Sequence, residues 1–193
     1  MKRPSQQQVA RAPEAWTGVV LAGGRSMRMG RDKATLSWQG RPLLEHMKAL
    51  LLATGAAQVV VSGEQPDHDG VADPCPRQGP LGGLHGVAQA LGDRQLLVVP
   101  VDMPALTRDL LARLLDAAPA ACVILAGHHL PMRMTLDAAS RGLLAEWLQD
   151  PSGPRSLRAF QQALHLREIP VAADEMAALA NCNTPAEWER LAR

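Results

Sequence analysis

The chain has 193 residues, 47% of them hydrophobic and 20% charged, and a net charge of +1. This length and balance fit one globular domain with a sizeable core and exclude a disordered chain. They give no bulk electrostatic case for nucleic acid or an anionic membrane, so any anion binding must be local to a site.

Residues 1–15 carry Lys2, Arg3 and a Gln6-Gln7-Gln8 tract but no apolar stretch of a secretory signal. They are expected to form a flexible polar tail ahead of a single domain over 16–193. Gly18 to Ala22 reads as a buried strand running into glycines. Leu43 to Ala53 reads as a helix stopped near Gly55, and Gln58 to Ser62, with Val59-Val60-Val61, as a second strand. A glycine loop at Gly79 to Leu84 precedes a helix expected over Gly83 to Leu91. Gln95 to Val101 is a third strand, Thr107 to Ala117 a helix with Thr107 as N-cap, and Ala121 to Ala126 a fourth strand. Further on, Pro151, Gly153 and Pro154 end a helix over Gly142 to Gln149, and Ser156 to Leu164 reads as another.

Strands apolar on both faces that alternate with helices predict an α/β fold of three layers, a mainly parallel twisted sheet with helices on both sides. Ligands of such sheets bind beyond the carboxyl ends of the strands. Gly23 and Asp102 each follow a strand directly, so they are expected on one edge of the sheet. Cys75, Cys122 and Cys182 are far apart and form no CxxC pair. That pattern argues against a disulfide framework or structural zinc and for a reducing cytoplasm. His128-His129 lacks the HExxH pattern and reads as a loop pair that could line a cleft. No stretch reads as a membrane span.

The most informative string is Leu21-Ala22-Gly23-Gly24-Arg25-Ser26-Met27-Arg28-Met29-Gly30-Arg31-Asp32-Lys33. Glycines bring backbone N–H groups close to a ligand, and Arg25, Arg28 and Lys33 add cations, so the string suits a polyphosphate. It is neither G-x-G-x-x-G nor a Walker loop, since Gly23 and Gly24 are adjacent and Arg31 follows Gly30. Asp102 before Met103-Pro104 can hold a hard cation such as Mg²⁺, although a strand-end aspartate also serves as an ordinary turn residue. Gly79-Pro80-Leu81 at a helix start could receive the nucleotide or simply open the helix. Asn181 and Asn183 share a face of an extended segment. Thr184-Pro185-Ala186-Glu187 forms a capping box that leaves both asparagines unexplained.

Together these elements resemble the nucleotidyltransferases that act on the molybdenum cofactor, the MobA-like group with a nucleotide-diphospho-sugar-transferase fold. Gly79-Pro80-Leu81-Gly82-Gly83-Leu84 looks like the family's second glycine segment. Val99-Pro100-Val101-Asp102-Met103-Pro104 looks like its metal-binding strand end, and Asn181-Cys182-Asn183-Thr184-Pro185 like its N-x-N-T-P element. The resemblance spans Leu21 to Pro185. It implies a nucleotide site from Leu21, Ala22, Gly23, Gly24, Arg25 and Lys33, joined by Gly79, Pro80 and Leu81. Asp73 resembles the base-contacting aspartate, whose carboxylate can pair with the N1–H and N2–H₂ edge of guanine. Lys33, Arg28 and Asp102 would be catalytic, Asp102 would hold Mg²⁺ or Mn²⁺, and Asn181 and Asn183 would bind the pterin.

Leu-Ala-Gly-Gly and Gly-Pro-Leu segments resemble the guanylyl-transferring members, so GTP is expected over CTP. The implied reaction transfers GMP from GTP to the terminal phosphate of molybdenum-loaded molybdopterin, with pyrophosphate leaving. Molybdenum-insertion proteins and apo-molybdoenzymes are the implied protein partners. Two departures stand out: Leu130 occupies the place of a family histidine before Pro131, and Ser62 that of an asparagine near the nucleotide. The rival readings are a cytidylyl or sugar-1-phosphate transferase on the same fold, and a nucleotide- or cofactor-binding carrier without turnover.

Overall fold

The computed structural model describes residues 15–23, 36–75, 78–184 and 187–189. In chain order the elements are β1 (Trp16–Leu21), β2 (Ser37–Trp38), β3 (Arg41–Pro42), α1 (Leu43–Ala53), β4 (Gln58–Ser62) and α2 (Gly79–Ala90). They continue with β5 (Arg94–Pro100), α3 (Arg108–Asp116), β6 (Cys122–Leu125), β7 (Met132–Leu136), α4 (Ala138–Gln149), α5 (Leu157–Ala163) and β8 (Arg167–Ile169). Six strands form one sheet in the order β4-β1-β5-β7-β6-β8, and β2 pairs with β3 separately. Only β7 runs against its neighbours, pairing antiparallel with both β5 and β6. The sheet is therefore mainly parallel, as the alternation of elements predicts.

β1 is buried along its whole length because it sits between β4 and β5, with helices on both faces. Successive residues supply opposite cores, as a period of two requires. Val20, Leu97 and Val99 pack with Met47 and Leu51 of α1 and with Leu110, Leu111 and Leu114 of α3. Val19, Leu96 and Val98 pack with Leu84 and Val87 of α2, Leu144 of α4 and Phe160 of α5. The one phenylalanine is thus central to one face, and the rest of the core is largely aliphatic.

Several elements differ from expectation. α2 starts at Gly79, so Gly82 and Gly83 belong to its first turns and not to a loop before it. Their smallness admits the helix close to its neighbours: a Cβ at Gly83 would strike the Ser62 hydroxyl, and one at Gly82 the Asp73 carboxylate. α4 starts at Ala138, ahead of the expected Gly142, because Asp137 and Ser140 form a reciprocal cap. Thr107 caps α3 as expected, accepting from Leu110 N at 3.3 Å.

β7, unforeseen, carries Arg133 into the interior at 4% exposure. The guanidinium donates to the carbonyls of Leu115, Ala117 and Ala118, in the last turn of α3 and just past it, where a cation also suits the helix dipole. Burial holds the Arg133 pKa below its ordinary value. Burial also pushes the neighbouring Cys122 thiol up to about 12, against the pull of Arg133, which leaves Cys122 a packing residue and not a nucleophile. None of the three cysteines is in a disulfide.

Candidate active site

Three parallel strands end level with one another. Leu21 is in register with Ser62 on β4 and with Pro100 on β5. The pairing continues one step further, with Ala22 N donating to Ser62 O at 2.9 Å and Val101 N to Leu21 O at 3.1 Å. Backbone register therefore delivers Gly23 and Asp102 to the same sheet edge. There they line one cavity of about 560 Å³. Leu21, Ala22 and Gly23 form its wall at β1, Pro80 contributes from the start of α2, and Pro100 to Met103 form the floor at β5. Gly127 to Leu130, with Leu157 and Asn181, complete the opposite side. β6 runs parallel to β5, so the loop after β6 opens on the same edge. That is why His128 and His129 reach the cavity.

The C-terminal element arrives through the backbone: Cys182 N donates to Asp102 O at 2.8 Å. Cys182 is buried while Asn181 is exposed and Asn183 half-buried, the alternation expected of an extended segment. The following cap is formed as the sequence suggests. Glu187 Oε2 accepts from Asn183 N at 2.8 Å and from Thr184 N at 3.0 Å, and Thr184 Oγ1 accepts from Glu187 N at 3.2 Å. Asp102 is the one carboxylate on the cavity wall among the described residues. No group of three or more His, Cys, Asp or Glu among them could hold a metal without other ligands.

The nucleotide-side residues divide. Gly79 opens α2 with φ +61°, and Pro80 faces the cavity, but the Leu81 side chain is fully buried in the core beneath α2. Asp73 does not line the cavity. Its Oδ1 accepts from Cys75 N at 2.8 Å and its carboxylate packs against Gly82. Val71 leads to it by running beside β4, with Val71 N donating to Val61 O at 2.8 Å and Gly63 N to Val71 O at 2.9 Å. Gly63 takes φ +126°, and a Cβ there would meet Gly23 N at 2.8 Å; only glycine permits this approach of the two strand ends. Ser62 is buried under Gly83, its hydroxyl without a hydrogen-bond partner among the described residues. Gly24, Arg25, Arg28 and Lys33 lie outside the described residues.

The sequence pattern of the MobA-like NTP transferase domain matches residues 18–168. The chain belongs to the MobA-like NTP transferase family. A molybdenum cofactor guanylyltransferase of Xanthomonas euvesicatoria pv. vesicatoria (strain 85-10) is 52% identical over 177 residues, covering 91% of this chain and 94% of that protein. Among solved structures, molybdopterin-guanine dinucleotide biosynthesis protein A from Archaeoglobus fulgidus superposes with TM-score 0.72 at 20% identity, covering 91% of this chain and 96% of that one. The 2-C-methyl-D-erythritol 4-phosphate cytidylyltransferase of Thermus thermophilus shares the fold at TM-score 0.63 and 20% identity, covering 90% of this chain and 95% of that one. The MobA-like fold thus hosts more than one nucleotidyl transfer, and substrate choice must be argued from residues. In this MobA-like chain, the wall least marked by sequence is Gly127 to Leu130 with Leu157. Its advance signals are a histidine pair soon after a strand and Leu130 at the place of a family histidine before Pro131.

Proposed function

We propose that this chain transfers GMP from GTP to the terminal phosphate of molybdopterin, molybdenum-loaded, releasing pyrophosphate and leaving the guanine dinucleotide form of the cofactor. The observation that carries this reading is the convergence of three separate motifs on one cavity: Gly23, Asp102 and Asn181. It is supported by a relative of that name at 52% identity across 91% of the chain. The Leu21-Ala22-Gly23-Gly24 and Gly79-Pro80-Leu81 segments favour GTP over CTP.

An oxygen of the acceptor phosphate attacks the α-phosphorus of GTP. A new P–O bond forms as the bond to the β-phosphate oxygen breaks, and pyrophosphate carries away the electron pair. A phosphate nucleophile is already ionised near neutral pH, so the step needs no general base. The amides around Gly23 and Gly24, with Arg25, Arg28 and Lys33, hold the nucleotide phosphates and offset the charge that develops on them. Asp73, ordered by Cys75 N and Gly82, sits beside α2 as the guanine-recognising carboxylate. Asn181 and Asn183 offer carboxamides to the polar pterin.

The Asp102 carboxylate is a hard oxygen donor and the one carboxylate among the described residues of the wall; it fits a hard cation that takes its remaining ligands from phosphates and water. Mg²⁺, or Mn²⁺, would be held there and would supply charge neutralisation between the two reacting phosphates. Cysteines held outside any disulfide fit a reducing cytoplasm. No helix among the described residues is long and apolar enough to cross a membrane. The product would pass to molybdenum-insertion proteins or apo-molybdoenzymes.

Pyrophosphate release with Mg²⁺ tests the reading, comparing GTP with CTP, with and without molybdenum-loaded molybdopterin. Turnover that requires the pterin and prefers GTP is expected. Preference for CTP would keep the chemistry and overturn the base assignment. Nucleotide binding without turnover, in folded protein given active acceptor, would turn the assignment towards a carrier.

A further inference from the structure

The cavity wall opposite the glycine string is held by a polar side chain that no motif announces. Gln161 of α5 is completely buried, yet both ends of its carboxamide are committed to one residue. Its Nε2 donates to the backbone carbonyl of His129 at 2.7 Å, and its Oε1 lies 3.1 Å from His129 Nδ1. Nε2 also donates to the Met132 sulfur at 3.3 Å. A carbonyl only accepts, so the amide NH₂ must face it, and the amide oxygen must then face the ring. His129 Nδ1 therefore carries a proton. Nε2 is left as the lone-pair nitrogen of the neutral ring, or as a second donor of the imidazolium. It makes no hydrogen bond among the described residues. His129 is exposed and lines the cavity with Asp102 and Asn181. Leu157, one helical turn before Gln161, lines it too, so one face of α5 builds this wall.

We propose that His129 hydrogen-bonds the acceptor, a phosphorylated polar heterocycle, through Nε2, and that Gln161 is the positioning residue that sets its tautomer and orientation. The proposal rests on the guanylyltransferase reading. Gly23 and Pro80 mark the nucleotide end of the cavity, and Asp102 stands between that end and His129. In-line transfer brings the attacking oxygen from the side opposite the leaving pyrophosphate. The Gly127–Leu130 wall is thus where the acceptor must lie. A carboxamide buried only for packing would have no reason to bind both atoms of one cavity-lining residue. An imidazole fixed in one tautomer presents a defined partner to its ligand, as bound histidines commonly do when the second nitrogen is engaged.

The test uses two asymmetric replacements in the full chain. His129→Asn keeps a polar group near Nδ1 and deletes the distal one; His129→Gln places a carboxamide near Nε2. His129→Asn should raise the KM for molybdenum-loaded molybdopterin about tenfold, the loss of one hydrogen bond, with the KM for GTP unchanged. His129→Gln should recover most of that loss. Independently of activity, ¹⁵N NMR of the histidine rings reads the tautomer, the His129 signals being those absent from the His129→Asn spectrum among the chain's 6 histidines. The native ring should be protonated at Nδ1. It should lose that preference in Gln161→Met and keep it in Gln161→Glu, which retains an acceptor.

An unchanged acceptor KM in His129→Asn, or a native ring protonated only at Nε2, overturns the proposal. If the native chain turns over neither nucleotide, the guanylyltransferase reading falls and the acceptor role with it. If the native chain is active but His129→Asn raises the KM for GTP instead, only the assignment of His129 to the acceptor falls.

Discussion

The two ends of the cavity are built by different physics. At the β1–β5 end, backbone register does the positioning: Leu21 opposite Pro100 brings Gly23 and Asp102 level. At the β6–β7 end, buried polar side chains do it. Gln161 grips His129 from 32 positions away, and Arg133 ties β7 to the carbonyls at the end of α3. The motif-bearing half therefore depends on strand register, whereas the other half depends on its buried hydrogen bonds.

Five substitutions would sharpen or break that contrast. Asp102→Ala should lower turnover the most, by on the order of 10³-fold, the scale seen when one charge-stabilising group is removed from an active site. Assays at saturating GTP and acceptor would show this, and retention of near-native turnover would remove Asp102 from the chemistry. Arg133→Leu should act on the fold instead. It leaves three carbonyls without their donor and should cost about 3 kcal/mol, visible as an earlier urea midpoint. A shift no larger than that of a surface substitution would mean that these carbonyls find other partners.

Gly83→Ala places a Cβ against the Ser62 hydroxyl and should destabilise by about 1–2 kcal/mol. Ser62→Ala in the same chain should relieve much of it. A double-mutant cycle with no coupling would show that α2 moves away rather than clashing.

The smallest effect is on pH. The Arg113 hydrogen bond holds the Glu175 carboxyl below its ordinary value, with help from the Ala172 amide, and the partner guanidinium is raised in turn. The folded value lies below the unfolded one, so the contribution is present above the ordinary glutamate range. It is lost as pH falls through the folded value. Glu175→Gln should flatten the acid side of the stability profile slightly. An unaltered acid limb would assign it to other carboxylates.

Local pattern was enough for much of the first half. Leu43–Ala53 and Gln58–Ser62 are observed at the expected bounds, because helical periodicity and a valine run depend on near neighbours. Thr107 caps α3 for the same reason. The start of α2 was legible only as one alternative, Pro80 opening a helix, beside the glycine loop expected before Gly83. Gly82 and Gly83 have poor helix propensity, and their fit against Asp73 and Ser62 explains a helix through them. β7 and β8 were missed because their pairing is non-local and because Arg133 and Arg167 interrupt the apolar signal. Of the site, Gly23, Pro80, Asp102 and Asn181 reach the cavity from motifs, whereas Leu81 turns into the core and Asp73 stands outside the wall. Gln161 reads from sequence as one more helix surface residue.

The order of motifs along the chain, the family they mark and the strand ends that carry them were determined by the sequence alone, since each depends on residues adjacent in the chain. The neighbours of each strand, the reversal at β7 and the His129–Gln161 wall were decided by the tertiary structure. They depend on which surfaces exclude water together and on where buried polar atoms find partners, and neither is written in local order.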